Sequence, residues 1–215
     1  MHALLSRPSL LLASVLVCAL AVIAAPHTLH LWLLLLAKPK FIWGVVAAVL
    51  LFWSWRGLRQ RLEFLSTLDH ELSHVLMTLL CGQRPTALQV HAFGGGSMCY
   101  QGTHRFGELL ISLSPYVLRI PAVLLTLISP IIPNGAGYQW FLFWYGLACT
   151  YSVWAIVQDA RPHQTDLHYA GVVLSYVWIV ALHVLGWGIA LSIVLHSQTV
   201  FGFVRTLWRE LWSLI

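Results

Sequence analysis

The residues most able to carry chemistry lie close together in the segment LDHELSHVLM, residues 68–77. His70 and His74 are four residues apart, so on a helix they lie within roughly 40° of the same face. Two imidazoles in that arrangement can bind one metal ion, and zinc is a common partner of histidine nitrogens. Glu71 directly follows the first histidine, which puts its carboxylate beside the same face. The spacing therefore predicts a metal centre on a helix.

The glutamate gives this predicted centre a chemical role. In the motif His-Glu-x-x-His, zinc lowers the pKa of a water molecule to about 7 and the glutamate takes its proton as a general base. The segment is otherwise largely apolar, and charged groups such as Asp69 and Glu71 cost at least ~2.5–3.5 kcal/mol each at a bilayer centre unless they are paired or functional. The alternative is a polar helix face that only contacts other helices or lipid headgroups. We favour metal binding because the spacing, the apolar setting and the glutamate occur together.

The composition determines which elements can position this segment. Of the 215 residues, 59% are hydrophobic and 9% are charged, whereas a soluble domain carries roughly 25% charged residues. Such a chain cannot cover itself with a soluble surface, so we expect the lipid bilayer to be its main solvent. The net charge of +5 comes from dispersed lysines and arginines, which is typical of membrane-flanking charge and not of a nucleic-acid surface. We expect no nucleic-acid partner.

Six apolar segments are candidates for membrane-spanning helices, since a crossing needs about 20 apolar residues. They cover residues 8–25, 41–55, 62–81, 109–132, 138–157 and 169–196. Residues 201–215 have a basic amphipathic pattern, which predicts a helix lying on the membrane surface. The first segment could be a cleaved secretory signal, but apolar sequence resumes at Leu29, so we expect a retained helix. The fold class expected is an all-α multi-pass membrane protein with about six transmembrane helices.

One stretch between the third and fourth spans does not follow a helical pattern. Residues 86–100 alternate larger apolar and polar groups and then break at Gly94, Gly95 and Gly96. This pattern is typical of a short β-hairpin. Neither a repeat nor a linker divides the chain, so we expect one membrane-embedded domain over residues 1–215, with its core at residues 62–196.

The chain resembles the site-2 protease family of intramembrane zinc metalloproteases, the M50 family, in its compact M50B-like branch. The resemblance rests on the apolar helix with HELSH, the glycine-rich hairpin after it, and a later aspartate near the start of another span, over residues 62–171. It implies that His70 and His74 are zinc ligands, that Glu71 is the catalytic base, and that a distant aspartate completes the site. It also implies a bacterial inner membrane as the location.

The aspartate is assigned by its position. Asp166 lies in HQTDLHYAGVV, directly before the sixth span, where the family places its aspartate. The sequence departs from the better-known family pattern, in which Asp is followed by Gly within a segment that contains Asn-Pro. Four other residues stay open as the third ligand: Asp159, His163, His168 and Glu108. Asp166 could also be a helix N-cap, a position that favours aspartate.

The resemblance implies proteolysis within the membrane. We expect the substrate to be a transmembrane segment of another protein, cleaved in or near the bilayer. Because a helix shields its own peptide bonds, an exposed strand edge could pair with an unwound substrate. We place this edge at Leu88 to Phe93, where a plain loop is the alternative. Two other functions stay open, namely a catalytically inactive protease-like scaffold or chaperone, and a metal-ion transporter that uses the histidines as a transit site.

Overall fold

The helices and the hairpin follow the apolar pattern of the chain. The computed structural model describes residues 8–54, 56–91, 95–102, 105–169, 171–195 and 200–213. Within them lie α1 (Pro8–Leu36), α2 (Pro39–Ser54), α3 (Arg56–Leu80), β1 (Arg84–Val90), β2 (Gly96–Gln101), α4 (Arg105–Leu113), α5 (Ile120–Ile128), α6 (Ala136–Asp159), α7 (Thr165–His168), α8 (Val172–Val194) and α9 (Val200–Ser213). Short 3-10 turns cover Ser114–Tyr116 and Ser129–Ile131.

Three helices of the described residues are long and apolar enough to cross a membrane. They are Leu11–Leu36 of α1, α6 and α8, and a fourth is added if the bent pair Phe106–Tyr116 and Ile120–Ile131 crosses as one span. The chain is therefore a mostly helical integral membrane protein, as its composition predicts. The expected six crossings are not confirmed. At 16 residues α2 is about 24 Å long, less than a bilayer core of roughly 30 Å, and α3 carries six charged side chains.

The first helix is longer than its predicted span. α1 continues from residue 25 to Leu36 and contains Pro26 in its interior. Proline is tolerated inside membrane helices because neighbouring groups satisfy the freed backbone carbonyl. The apolar run after the proline therefore extends the same helix.

Two closely packed helix pairs form the apolar framework. α1 packs along α8, and α2 packs along α6. In the second pair Gly44 faces the carbonyl of Phe143, and Gly146 faces the carbonyl of Phe41, so closely that a β-carbon would collide. Small residues allow membrane helices to approach each other in this way. Buried leucine and aromatic side chains of all four helices fill the space between the pairs.

The C-terminal helix α9 packs against α1 and α8. Phe203 and Leu207 are buried in a cluster with Ala24, while Val204 and Trp208 are exposed. The predicted helix is thus present, with one apolar side covered by the protein. Its place on a membrane surface stays a prediction.

The fourth predicted span is not one straight helix. Its two parts, which contain α4 and α5, meet at an angle of 91°. Pro115 lies in the 3-10 turn, Arg119 has extended backbone angles (φ −97°, ψ 118°), and Pro121 lies in the first turn of α5. Proline lacks an N–H and clashes with a preceding helical turn, so these residues stop one helix and start another. The resulting corner packs against α3.

The predicted hairpin is present as an antiparallel pair. Arg84 pairs with Gln101 at the open end, and Val90 pairs with Gly96 at the turn. Gly95 has a φ of 86°, which a residue with a β-carbon rarely adopts. Both strands pack against α3, so the hairpin lies beside the helix that carries HELSH.

The predicted pairing edge coincides only partly with a strand. Leu88 to Val90 belong to β1, and His91 lies outside the strand. Ala92 and Phe93 are outside the described residues. A pairing role for this edge stays a prediction.

Candidate metal centre

Three side chains from distant parts of the chain converge at one point. His70, His74 and Asp166 each offer a ligand atom, and these atoms lie within 4.8 Å of one another. Asp166 Oδ2 is 3.2 Å from Nε2 of His70 and 3.5 Å from Nε2 of His74. The structure thus brings together the three residues that the sequence predicted as ligands.

The two histidines are presented by one face of α3. Their ring centroids are 5.0 Å apart, as expected for neighbours four residues apart on a helix. His74 Nδ1 donates to the backbone carbonyl of Ile111 over 2.7 Å, and His70 Nδ1 lies 3.2 Å from Asp159 Oδ2. Because both Nδ1 atoms have acceptors on the far side, both Nε2 atoms point toward Asp166 and are free to bind an ion.

Asp166 is carried by the short helix α7. Leu167 is fully buried, and its carbonyl accepts a hydrogen bond from the Ser175 hydroxyl on α8, which anchors the turn. The N-cap of α7 is Gln164, so the N-cap alternative for Asp166 is wrong. The long eighth helix begins only at Val172, so the aspartate precedes it in a separate element.

The electrostatic setting of Asp166 favours its charged form. Burial raises the pKa of this carboxyl, but the rings of His70 and His74 beside it more than offset the effect and hold the pKa below its usual value. A carboxylate that stays ionised can serve as a metal ligand. Asp166 Oδ2 lies within 3.5 Å of a ring nitrogen of each histidine.

The other candidates for a third ligand lie elsewhere. Asp159 faces the opposite nitrogen of His70, Glu108 accepts a hydrogen bond from the Tyr169 hydroxyl, and His163 is exposed. In the described residues only His70, His74 and Asp166 form a group of three such ligand atoms. His168 is therefore outside the cluster, although it is two residues from Asp166.

Glu71 lies beside the cluster in a cavity of about 340 Å³, which His70, His74 and Asp166 also line. Glu71 is only 5% exposed. Residues of β2 form part of the cavity wall, beginning at Gly96. A β-carbon on Gly96 would lie 2.7 Å from Oε1 of Glu71, so the start of the strand rests directly against the glutamate.

The corner between α4 and α5 also packs on the site. The Tyr116 ring meets the His70 ring edge-on, with centroids 5.8 Å apart. The hydroxyl of Ser114 donates to the same Ile111 carbonyl that accepts from His74. The Ser-Pro-Tyr segment, residues 114–116, therefore packs against the side chains that are candidates for metal binding.

A buried charged cluster behind His70 was missed by the sequence reasoning. Arg119 is 2% exposed and lies between Asp69 and Asp159, with its Nη2 2.6 Å from Asp159 Oδ2. The signal was present in the sequence, since Arg119 is a single arginine in an apolar stretch. An ionisable residue at such a place is by default a candidate for function.

The donor set fits a zinc ion by its own chemistry. Two neutral imidazole nitrogens and one carboxylate oxygen are a ligand set of catalytic zinc sites, which keep a fourth position for water or substrate. Tetrahedral bonds of about 2.0–2.1 Å put ligand atoms roughly 3.3 Å apart, close to the 3.2 Å and 3.5 Å separations from Asp166. The adjoining cavity provides room for a fourth ligand.

The comparisons with known proteins identify one family. A family model described as Peptidase M50B-like matches residues 41–213, which includes α3, the hairpin and the segment of Asp166. The curated proteins include no match to the chain, and neither do the solved structures.

Proposed function

The chain belongs to the Peptidase M50B-like family, and from this premise we propose that it is an intramembrane zinc metalloprotease. Its substrates would be transmembrane segments of other membrane proteins, hydrolysed in or near the bilayer. The observation that carries the proposal is the convergence of His70, His74 and Asp166 beside Glu71 in one cavity. A glutamate next to three ligand groups is the arrangement that zinc metalloproteases with a His-Glu-x-x-His motif use for hydrolysis.

The proposed metal ligands are His70 and His74 through Nε2, and Asp166 through its carboxylate. A zinc ion held by these residues would supply Lewis acidity, which lowers the pKa of a water molecule and polarises a carbonyl group. The Ile111 carbonyl and Asp159 hold the far nitrogens of the two rings. The ligands would therefore keep their orientation when substrate binds.

Glu71 is proposed as the catalytic base. Its carboxylate accepts a proton from the attacking water and then donates it to the leaving nitrogen of the cleaved peptide bond. Glu71 is 5% exposed, and its side chain rests against Gly96. This contact would hold the base on the side of the cavity where the ligands converge.

We propose that an unwound substrate segment pairs with an edge of the hairpin. A peptide bond within a helix is protected by the helix's own hydrogen bonds, so a strand edge stabilises the extended form that can be cut. The edge predicted at Leu88 to Phe93 belongs to β1 as far as Val90, whereas β2 lines the cavity. The β2 edge is therefore the preferred place, and the β1 edge is the alternative.

A cysteine scan would separate these two edges. A photoreactive crosslinker at Ser97→Cys on β2 should capture a transmembrane substrate more strongly than one at Leu88→Cys on β1. Both residues are exposed in the structure, and the exposed Cys99 of β2 is replaced by serine in both variants so that the crosslinker attaches only at the new thiol. Stronger capture at Leu88→Cys would move the substrate to β1.

The finer membrane arrangement is also part of the proposal. We propose six membrane-embedded segments, with α2 entering the bilayer alongside α6, against which it packs, and α3 inside the bundle, where Asp69 pairs with Arg119 and Glu71 faces the candidate ligands. A bacterial inner membrane is the proposed location, in keeping with the compact branch that the sequence resembles. Labelling of single cysteines from each side of the membrane tests the number of crossings.

The test of the function is a cleavage assay in proteoliposomes. Purified full-length protein, reconstituted with reporter proteins that each carry one transmembrane helix, should release a soluble fragment. A zinc chelator should abolish the cleavage, and added zinc should restore it. Cleavage that persists without metal would contradict the proposal.

The same vesicles distinguish the rival functions. An inactive scaffold or chaperone would bind reporter helices without cleaving them, whatever the metal. A transporter would carry zinc across the vesicle membrane, which a fluorescent zinc indicator inside the vesicles detects. Flux without cleavage would favour transport.

A further inference from the structure

His70 is held at both ring nitrogens. Its Nε2 lies 3.2 Å from Asp166 Oδ2, and its Nδ1 lies 3.2 Å from Asp159 Oδ2. An imidazole that binds a metal through Nε2 carries its proton on Nδ1 and donates that proton to an acceptor, which fixes the ring and raises its basicity. Asp159 is placed to be this acceptor.

Asp159 needs a cation to remain charged in this place. It is the last residue of α6, where the helix dipole is negative and disfavours a carboxylate. Arg119 Nη2 donates to Asp159 Oδ2 over 2.6 Å. The arginine side chain is 1% exposed, and because a guanidinium keeps its charge in a protein, its burial requires acidic partners. Arg119 and Asp159 therefore stabilise each other.

Asp69 holds the arginine from the other side. Arg119 Nη1 lies 3.4 Å from Asp69 Oδ2, and Asp69 Oδ1 accepts the backbone N–H of Ile120 over 2.9 Å. Asp69 directly precedes His70 on α3, so one carboxylate fixes both the arginine and the start of α5 next to the ligand helix. The planar guanidinium can serve two carboxylates at once, which an ammonium group does less well.

We propose that Arg119 is a positioning residue for the metal centre: it holds Asp159 against Nδ1 of His70, so that Nε2 faces Asp166 and His74. This inference rests on the proposed function, because it assumes a zinc ion at that site. Arg119 lines a separate, largely apolar cavity with residues of α5, α6 and α8. It does not line the cavity that contains Glu71, so we assign its effect to its contact with Asp159.

The test measures zinc binding in full-length protein purified in detergent. The readouts are the zinc dissociation constant, by competition with a chelator, and the absorption spectrum of the cobalt-substituted protein. Asp159→Asn and Arg119→Gln should each weaken zinc binding about 10–100-fold, as loss of an outer partner of a ligand does, and should shift the cobalt bands. Arg161→Gln is the matched control, because Arg161 is exposed and its side chain donates to the nearby Gln158; it should change neither readout.

A double variant separates positioning from general loss of structure. Arg119→Gln with Asp159→Asn should bind zinc no more weakly than either single variant, because both residues act through one contact with His70. Losses that add, or wild-type affinity with an unchanged cobalt spectrum in both single variants, would overturn the inference. If Arg119→Gln does not fold, Arg119→Lys and Asp159→Asn carry the test, and wild-type zinc affinity in both would overturn it.

Failure of the proposed protease function can be distinguished from failure of the proposed role of Arg119. Wild-type protein that binds zinc and cleaves no reporter counts against the protease, while the affinities of the variants still decide the role of Arg119. Wild-type protein that binds no zinc overturns both.

Discussion

The site region and the framework helices differ in almost every physical property. The framework pairs, α1 with α8 and α2 with α6, contain long or strongly apolar helices joined by close glycine contacts. The site region, made of α3, the corner between α4 and α5, and α7, contains short or broken helices and buried charges. Apolar surface is enough to hold helices in lipid, whereas polar backbone and charge persist only where partners satisfy them.

The corner shows how the site region satisfies its polar groups. Where the helix breaks, backbone carbonyls lose their helical partners and must find others. The Ile111 carbonyl accepts from His74, and the Leu118 carbonyl accepts from the Ser73 hydroxyl. The broken segment thus supplies acceptors for the polar face of α3. Variants of the site region should therefore change activity, and variants of the framework should change stability.

The largest effect is expected at Glu71. Glu71→Gln should lower the cleavage rate about 10³-fold, because general bases contribute about 10²–10⁴-fold, while zinc content stays unchanged. Glu63→Gln is the matched control, since Glu63 is exposed on the same helix. Full cleavage activity of Glu71→Gln in proteoliposomes would show that Glu71 is not the catalytic base.

Asp166 should affect metal binding more than any residue that only supports a ligand. Asp166→Ala is expected to weaken zinc binding by more than about 100-fold, the upper range for loss of an outer partner. Glu108→Ala, in the same cavity, should leave the zinc dissociation constant within a few-fold of the wild type. Zinc binding that is weakened strongly by Glu108→Ala and only slightly by Asp166→Ala would reassign the third ligand to Glu108.

Gly96 tests the contact between the hairpin and the base. Gly96→Ala would put a β-carbon 2.7 Å from Glu71 Oε1, so the carboxylate must move, and we expect a rate about 10-fold lower with zinc retained. Gly137→Ala is the control because a β-carbon there has no neighbour within 4 Å among the described atoms. Equal rates for the two variants would show that the hairpin does not position Glu71.

The smallest effect on catalysis is expected in the framework. Gly44→Ala would collide with the Phe143 carbonyl on α6 and should cost about 1–3 kcal/mol of stability, as overpacking does. The rate per folded molecule should not change. Gly186→Ala on α8, where a β-carbon meets no described atom within 4 Å, serves as control in thermal unfolding. A lower cleavage rate per folded molecule in Gly44→Ala would show that the framework helices also affect catalysis.

Much of the framework could be predicted from the sequence because it depends on local patterns. Apolar runs indicated the helices, the alternating stretch with three glycines indicated the hairpin, and the spacing of His70 and His74 put both rings on one face. Asp166 was assigned from its position before the last span, and the structure brings it to both histidines. Its role as a ligand stays a prediction.

The 91° corner and the partners of Arg119 could not be predicted in the same way. Hydropathy reports whether a segment is apolar, and residues 109–132 are apolar on both sides of the break. Asp159 was considered only as a ligand, because its contact with the opposite nitrogen of His70 depends on how α6 ends against α3. Such contacts join residues 40 to 89 positions apart and leave no local pattern.

The most direct test of the central claim is the zinc content of purified wild-type protein, His74→Ala and His163→Ala. We predict about one zinc per chain in the wild type and in His163→Ala, whose histidine is exposed and outside the cluster, and a loss of zinc in His74→Ala. Wild-type protein that stays free of zinc when zinc is supplied, or His74→Ala that keeps it, would contradict the account.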